Sequence, residues 1–227
     1  MFLNVLKIII NCSVTLLPFK LRRIILAKCY GYDIHPQAKI GLSYIFPKHL
    51  AMEEGAAIGH LNVAVNLDKM VLGKNSIISR GNWITGFPTG TKSRHFANET
   101  DRKSELIIGK ESAITKNHHI DCTNSVHIGD FTTIAGYNSI ILTHSIDIYE
   151  NRQSSRPISV GNYCFVSTNA KVTGGCRLPD NSVLAAGAVL TKAYTDEWTI
   201  YGGVPARPIK KIPATAKYFH REKGFVY

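Results

Sequence analysis

Two short stretches carry the side chains best suited to moving a proton. His118, His119 and Asp121 lie in NHHIDCT, and His144 lies in ILTHSID. A neutral imidazole, with an ordinary pKa of about 6.5, is mostly unprotonated at neutral pH and can take the proton of an attacking hydroxyl. Such a base supplies on the order of 10² to 10⁴ in rate. Asp121 or His119 can orient an acceptor or a catalytic imidazole and fix its tautomer. The same residues also read as a polar ladder satisfying turn backbone, and residue type alone leaves both readings open. Five cysteines (Cys12, Cys29, Cys122, Cys164 and Cys176) are scattered, odd in number and in no CxxC pair. They read as reduced thiols of a cytosolic protein, not as a disulfide framework or a zinc site.

Composition narrows the partners. Apolar residues make up 44% of the 227-residue chain and charged ones 19%, which suits one domain with a sizeable core. Lys and Arg number 27 against 16 acids, a formal charge of +11. That balance suits an anionic partner: nucleic acid, anionic lipid or a phosphorylated cofactor. No nucleic-acid-binding motif is present, so no nucleic acid is expected.

The elements that must position these side chains show in a six-residue period. From Ile158 to Lys192, every sixth residue from Val160 is aliphatic: Val160, Val166, Val172, Leu178, Leu184 and Leu190. This is neither the period of two of a strand nor the 3.6 of a helix. Three six-residue repeats per coil describe a triangular prism of short parallel strands with aliphatic knobs along its axis. The phase runs through Ile34, Ile40, Phe46, Met52 and Ile58, slips between Leu61 and Met70, and returns at Leu72, Ile78 and Ile84. It resumes with Ile108, Ile114, Ile120 and Val126, then shifts by two to Ile128, Ile134, Ile140 and Ile146. A coil of about eighteen residues carries Asp121 to Ser139, five residues before His144, so the two stretches border one cleft.

Two excursions interrupt the pattern, Phe87 to Glu105 and Asp147 to Pro157, and such loops gather on a functional side. Residues 1–30 are apolar with Lys7, Lys20, Arg22, Arg23 and Lys28 as their only charges. The uncharged run from Ile8 to Phe19 is too short to span a bilayer, and Pro18 breaks a single helix. One or two amphipathic helices are expected there, packed across the prism end or lying on a membrane surface. The division is thus 1–30, a β-helix over 31–212 with loops 87–105 and 147–157, and a tail at 213–227 that reads as a short helix or frayed end.

The repeat ending AAGAVLTK, the segment YGGVPARPIKKI and the histidine of ILTHSID together resemble the hexapeptide-repeat acyltransferases. The resemblance covers about residues 34 to 212. Within that family the apolar N-terminus and the THSID loop look like O-acetyltransferases of capsule, exopolysaccharide or O-antigen synthesis. It implies an all-β chain, a left-handed parallel β-helix, assembled as a homotrimer with each active site between two subunits. It further implies an acetyl-CoA-dependent O-acetyltransferase that acts on a carbohydrate acceptor, free or lipid-linked, with His144 as general base. His119 and Asp121 are its expected catalytic partners. By family position Lys192, Arg207 and Lys210 meet the phosphates of acetyl-CoA, Thr168 and Ala186 line the pantetheine channel, and Thr191 joins the cofactor contacts. The fold also hosts γ-class carbonic anhydrases, but their histidine spacing is absent and no metal is expected. The location implied is cytoplasmic, with peripheral contact at the inner membrane face through residues 1–30. N-acetylation of a nucleotide-linked amino sugar, and a non-catalytic β-helix scaffold, are the alternatives.

Overall fold

The computed structural model describes residues 2–226; Met1 and Tyr227, the outer ends of the expected N-terminal segment and tail, lie outside them. Among the described residues, three sheets of seven, nine and seven strands form the sides of a prism. They are the first, second and third faces in the order the chain visits them. Strands pair in parallel with those of the next coil, except where Thr199–Gly202 pairs antiparallel with Arg207–Lys211 at the edge of the second face.

Alternation within each strand puts one or two side chains inside. On the first face Ile34, Met52, Leu72, Ile108, Ile128, Val160 and Leu178 stand in one register column. On the second, Ile40, Ile58, Ile78, Ile114, Ile134, Val166 and Leu184 do so, closed by the buried Tyr201. The third column is Ile45, Ala64, Ile84, Ile120, Ile141, Val172 and Leu190. Burying each such aliphatic chain stabilises the fold by about 1.5–3 kcal/mol relative to leaving it exposed.

Three expected knobs are corrected. Ile45, not Phe46, points inward, and Ile141, not Ile140. The corners before them differ in length: Ile45 follows Ile40 by five positions and Ile141 follows Ile134 by seven, where six is the rule. A one-residue change in a corner moves the inward position by one, because side chains alternate across a strand. Ile146 is no knob at all; it is exposed on an antiparallel hairpin formed by His144–Asp147 and Arg152–Ser155. The slip between Leu61 and Met70 is real: the small Ala64 keeps the six-residue step from Ile58, and the corner from it to Leu72 is two residues longer.

Corners between faces turn through left-handed backbone. Between the second and third faces, Leu61, Gly81, Asn117, Asn138, Asn169 and Gly187 all have positive φ. Asparagine tolerates this region through its short polar side chain, and glycine does so freely. Gly81 is needed for space as well, since a Cβ there would stand 2.3 Å from Asn117 Oδ1. Between the first and second faces even Phe131 and Tyr163 adopt it, with their rings stacked at 4.7 Å.

Helices α1 (Phe2–Leu16) and α2 (Phe19–Tyr30) lie across the N-terminal end. Pro18 separates them, and Gly31 caps α2 in the left-handed conformation with its N–H donating to Leu26 O. Val14 and Leu26 enter the core, while the buried Arg22 guanidinium donates to Thr15 O, Ile40 O and Gly41 O. This ties both helices to the first coil. At the other end the chain turns back through a 3₁₀ turn at Lys217–His220, and the Tyr218 hydroxyl donates to Cys164 O. Gly224 N then donates to Glu111 Oε2, which straps the tail along the prism.

Candidate active site

Both excursions leave the prism at the same edge, where the third face turns into the first. The strand Trp83–Gly86 runs out into residues 87–104 before Glu105–Ile108 begins. One coil on, His119–Cys122 turns the corner tightly into Val126–Ile128. One coil further, Ile140–Leu142 runs out into the hairpin before Ile158–Val160. Strands of one sheet lie about 4.8 Å apart, so the two excursions stand about 10 Å apart with the tight corner between them.

That corner carries Asp121. It points outward from the third face, yet is buried, because the excursions cover it. Asp121 Oδ1 accepts from Thr123 Oγ1 at 2.7 Å and Thr123 N at 3.2 Å. Its Oδ2 accepts from Thr143 N at 3.0 Å and from Thr143 Oγ1 at 2.7 Å. The same oxygen lies 2.8 Å from His144 Nδ1. Burial opposes ionisation of Asp121, but the bonds from His144, Thr123 and Thr143 outweigh it and hold the pKa down at about 2. An ionised carboxylate only accepts, so the proton of neutral His144 sits on Nδ1 and the lone pair of Nε2 is free. The bond to Asp121 raises the His144 pKa above its ordinary value, against the lowering effect of partial burial.

His144 lines a cleft of about 260 Å³ with Ser145, Ser154, Arg156 and the Thr173–Gly174 corner of the next coil. The Phe96 ring meets the imidazole edge to face at 6.0 Å. Phe96 belongs to the 87–104 excursion, which Thr89 ties to Asp68 and Ser104 to Cys122 O, and which two further anchors hold near the site. Glu99 accepts from Ser155 N at 2.6 Å and from the Ser155 hydroxyl. Arg102 donates to Phe87 O, Pro88 O and Thr123 O, and its guanidinium lies over the rings of Phe87 and Phe96.

The structure brings Asp121 and His144 together but not His119, which lies two residues before Asp121, exposed, on the outer side of the third face. His118 points the other way and serves the fold. Its Nδ1 accepts from Ser139 N at 3.1 Å and its Nε2 lies 3.0 Å from Thr115 Oγ1. Burial lowers its pKa to about 4, so it stays neutral. Thr191 stands one coil beyond Thr173, since Val172 pairs with Leu190, and Lys192 follows it with its ammonium 5.1 Å from the centre of the Tyr194 ring. Both therefore share an edge with His144. Thr168 and Ala186 occupy the opposite edge of the third face, where Gly187 N donates to Thr168 O. Arg207 and Lys210 are exposed on the terminal antiparallel strand. Within one chain these cofactor positions do not converge on His144. No group of side chains able to hold a metal ion occurs among the described residues.

A 121-residue stretch of the chain is 29% identical to the galactoside O-acetyltransferase of Escherichia coli K12. It covers 52% of this chain and 59% of that relative, so the chain spans little more than half the relative's length. No family model matches. Among solved structures, a hexapeptide-repeat-containing acetyltransferase from Vibrio cholerae superposes with a TM-score of 0.51 at 23% identity, over 62% of this chain and 73% of that one. The N-acyltransferase AntD from Bacillus cereus, solved with dTDP and coenzyme A, gives 0.54 at 14% identity, over 80% and 88%. The fold is the left-handed β-helix of the hexapeptide-repeat acetyltransferases. In this β-helix the residues that seat the carboxylate, Thr123 and Thr143, escape sequence reasoning, although Asp-x-Thr is a familiar local hydrogen-bonding pattern. Glu99, Arg102 and Ser155 left no such signal, because Glu99 and Ser155 meet across two excursions and Arg102 binds backbone carbonyls 14 to 21 positions away.

Proposed function

We propose that the protein is an acetyl-CoA-dependent O-acetyltransferase that acts on a sugar hydroxyl in surface-polysaccharide synthesis. The observation that carries this reading is the Asp121–His144 pair, 2.8 Å between Oδ2 and Nδ1, which leaves Nε2 free at a cleft. His144 Nε2 takes the proton of the acceptor hydroxyl as its oxygen attacks the thioester carbonyl carbon. The imidazolium, held by Asp121, returns that proton to the departing thiolate when the C–S bond breaks. The products are an acetyl ester and coenzyme A. Similarity to a galactoside O-acetyltransferase supports a carbohydrate acceptor.

In this reading residues 31–212 form the catalytic unit, with 1–30 and 213–227 as its flanking segments. Lys192, Arg207 and Lys210 meet the donor phosphates by charge-assisted hydrogen bonds. Thr168, Ala186 and Thr191 border its pantetheine arm. The cofactor positions lie apart on one chain, which fits a homotrimer whose sites form between subunits. The exposed Trp83 and Leu142 give the third face an apolar surface for that association. The exposed apolar sides of α1 and α2 fit peripheral contact with the inner membrane face and a lipid-linked acceptor. No helix among the described residues is long and apolar enough to cross a membrane.

The test is transfer of labelled acetyl from acetyl-CoA to polysaccharide, lipid-linked repeat units and nucleotide sugars. His144→Ala is expected to keep the fold and to lower transfer by about two to four orders of magnitude. Equal turnover by the variant removes His144 as the base. A product label released by mild alkali is an ester, whereas a resistant one is an amide and means N-acetylation.

A further inference from the structure

A second cleft, of about 430 Å³, opens between the 87–104 excursion and the hairpin. Arg94, Phe96 and Glu99 line one side, and Ile146, Arg152 and Ser154 the other. Ser154 also borders the His144 cleft, and the Phe96 ring that contacts His144 forms part of this wall. The two clefts therefore adjoin at Ser154 and Phe96.

The charge of this cleft is net positive, two guanidinium groups against one carboxylate. Its carboxylate, Glu99, has both oxygens engaged by Ser155 N and Oγ. Asp147 pairs with Arg152 in the hairpin register, but its Oδ1 accepts from Tyr149 N and Glu150 N. Among the described residues no carboxylate oxygen lies within 4.0 Å of either Arg94 or Arg152. Two guanidinium groups thus line an opening in which neither is ion-paired, and Phe96 and Ile146 add apolar surface to its lining. Guanidinium forks match the planar carboxylate and the phosphate better than they match a hydroxyl.

We propose, resting on the acetyl-transfer reading above, that the acceptor is an acidic sugar. Its carboxylate or phosphate is held by Arg94 and Arg152, its ring lies against Phe96 and Ile146, and its free hydroxyl reaches His144. A carboxylate of the sugar itself and a phosphate linking it to a carrier share this chemistry.

The test measures binding without donor, by calorimetry, so it does not depend on catalysis. The probes are methyl glycosides of gluco, galacto and manno sugars, the matching uronic acids, and the matching sugar 1-phosphates. The acidic members are expected to bind at least about tenfold more tightly than the neutral ones, with the advantage shrinking as salt rises. Preference for uronic acids points to the sugar's own acid, and preference for 1-phosphates to the carrier linkage. Arg94→Gln and Arg152→Gln, on exposed side chains, should reduce the acidic-to-neutral ratio by about tenfold each while leaving the melting curve in place. Arg152→Lys should restore part of it. Neutral and acidic sugars bound alike, or a ratio untouched in both Gln variants, overturns the proposal. Coenzyme A release with neutral acceptors at the acidic rate also overturns it and leaves acetyl transfer standing. Acidic sugars bound but never acetylated remove the acetyl-transfer reading and leave the acidic cleft.

Discussion

At the scale of the residue, Asp121 decides what His144 can do. The backbone N–H and the side chain of each of three neighbours, Thr123, Thr143 and His144, converge on its two oxygens, so its charge is fixed in place before any substrate arrives. That charge favours the imidazolium and lifts the His144 pKa, while partial burial pulls the other way. The rate should therefore rise with pH along a limb set by a histidine more basic than usual. Asp121→Asn removes the lifting charge and keeps the burial, so the limb should move to lower pH. The plateau should fall by about tenfold to a hundredfold, less than loss of the base itself. A kcat/KM profile measured across pH 5 to 9 reads this directly, and an unmoved limb would uncouple the two residues. His119 shows where sequence stops being informative at this scale. It and Asp121 are two apart on one strand and point the same way, so alternation treats them alike. What separates them is cover from excursions whose paths no periodicity encodes.

At the scale of the element, the 87–104 excursion has no regular structure of its own and depends on its anchors. Arg102 is 8% exposed and bonds three backbone carbonyls, one of them on the Asp121 corner. Arg102→Ala leaves those acceptors without their charged partner, at a local cost of about 1.5–3 kcal/mol. Opening of the excursion should become about tenfold to a hundredfold more frequent, read as faster proteolytic cleavage between residues 87 and 104. The melting temperature of the prism should change far less, because its knobs are untouched. Cleavage at the wild-type rate would show that Glu99 and Phe96 suffice to hold the segment. The sequence marked this segment as irregular but gave no sign of its anchoring, since Arg102 reads as one charge among several in TDRKSE. The hairpin was masked by Ile146, which kept the six-residue phase while standing outside the prism.

At the scale of the molecule, the prism was legible because every coil repeats one instruction. Most of the sixth-residue positions do face the axis; two exceptions trace to corners one residue short or long, before Ile45 and Ile141, and the third, Ile146, to the hairpin. The helices cap the prism and also leave apolar side chains exposed. Val14 and Leu26 cap the prism, while Ile8, Ile9, Leu21 and Ile24 stay exposed near Lys7, Lys20 and Lys28. The first acid in the chain is Asp33, so nothing in this segment repels an anionic surface. The intact protein should float with vesicles containing anionic lipid, weakly with neutral ones and less at high salt. Ile9→Glu with Ile24→Glu should abolish flotation without lowering the melting temperature, because neither side chain is in the core. Failure of the unmodified protein to float on anionic vesicles would leave the helices as end caps alone.

The shared edge of the two excursions also sets an order of events in folding. Most contacts of the prism join residues a single coil apart, about eighteen to twenty positions, so coils can be added one upon another. Glu99 and Ser155 are separated by 56 positions, and their bond must wait for the coil that bears Asp121 and for the coil that launches the hairpin. Thr123 can meet Asp121 early, being its near neighbour, whereas Thr143 and His144 come from a later coil. A chain emerging from the ribosome therefore lays down its first coils before the pair can form, and completes the cleft only when Thr173 and Gly174, beyond Ser155, have appeared.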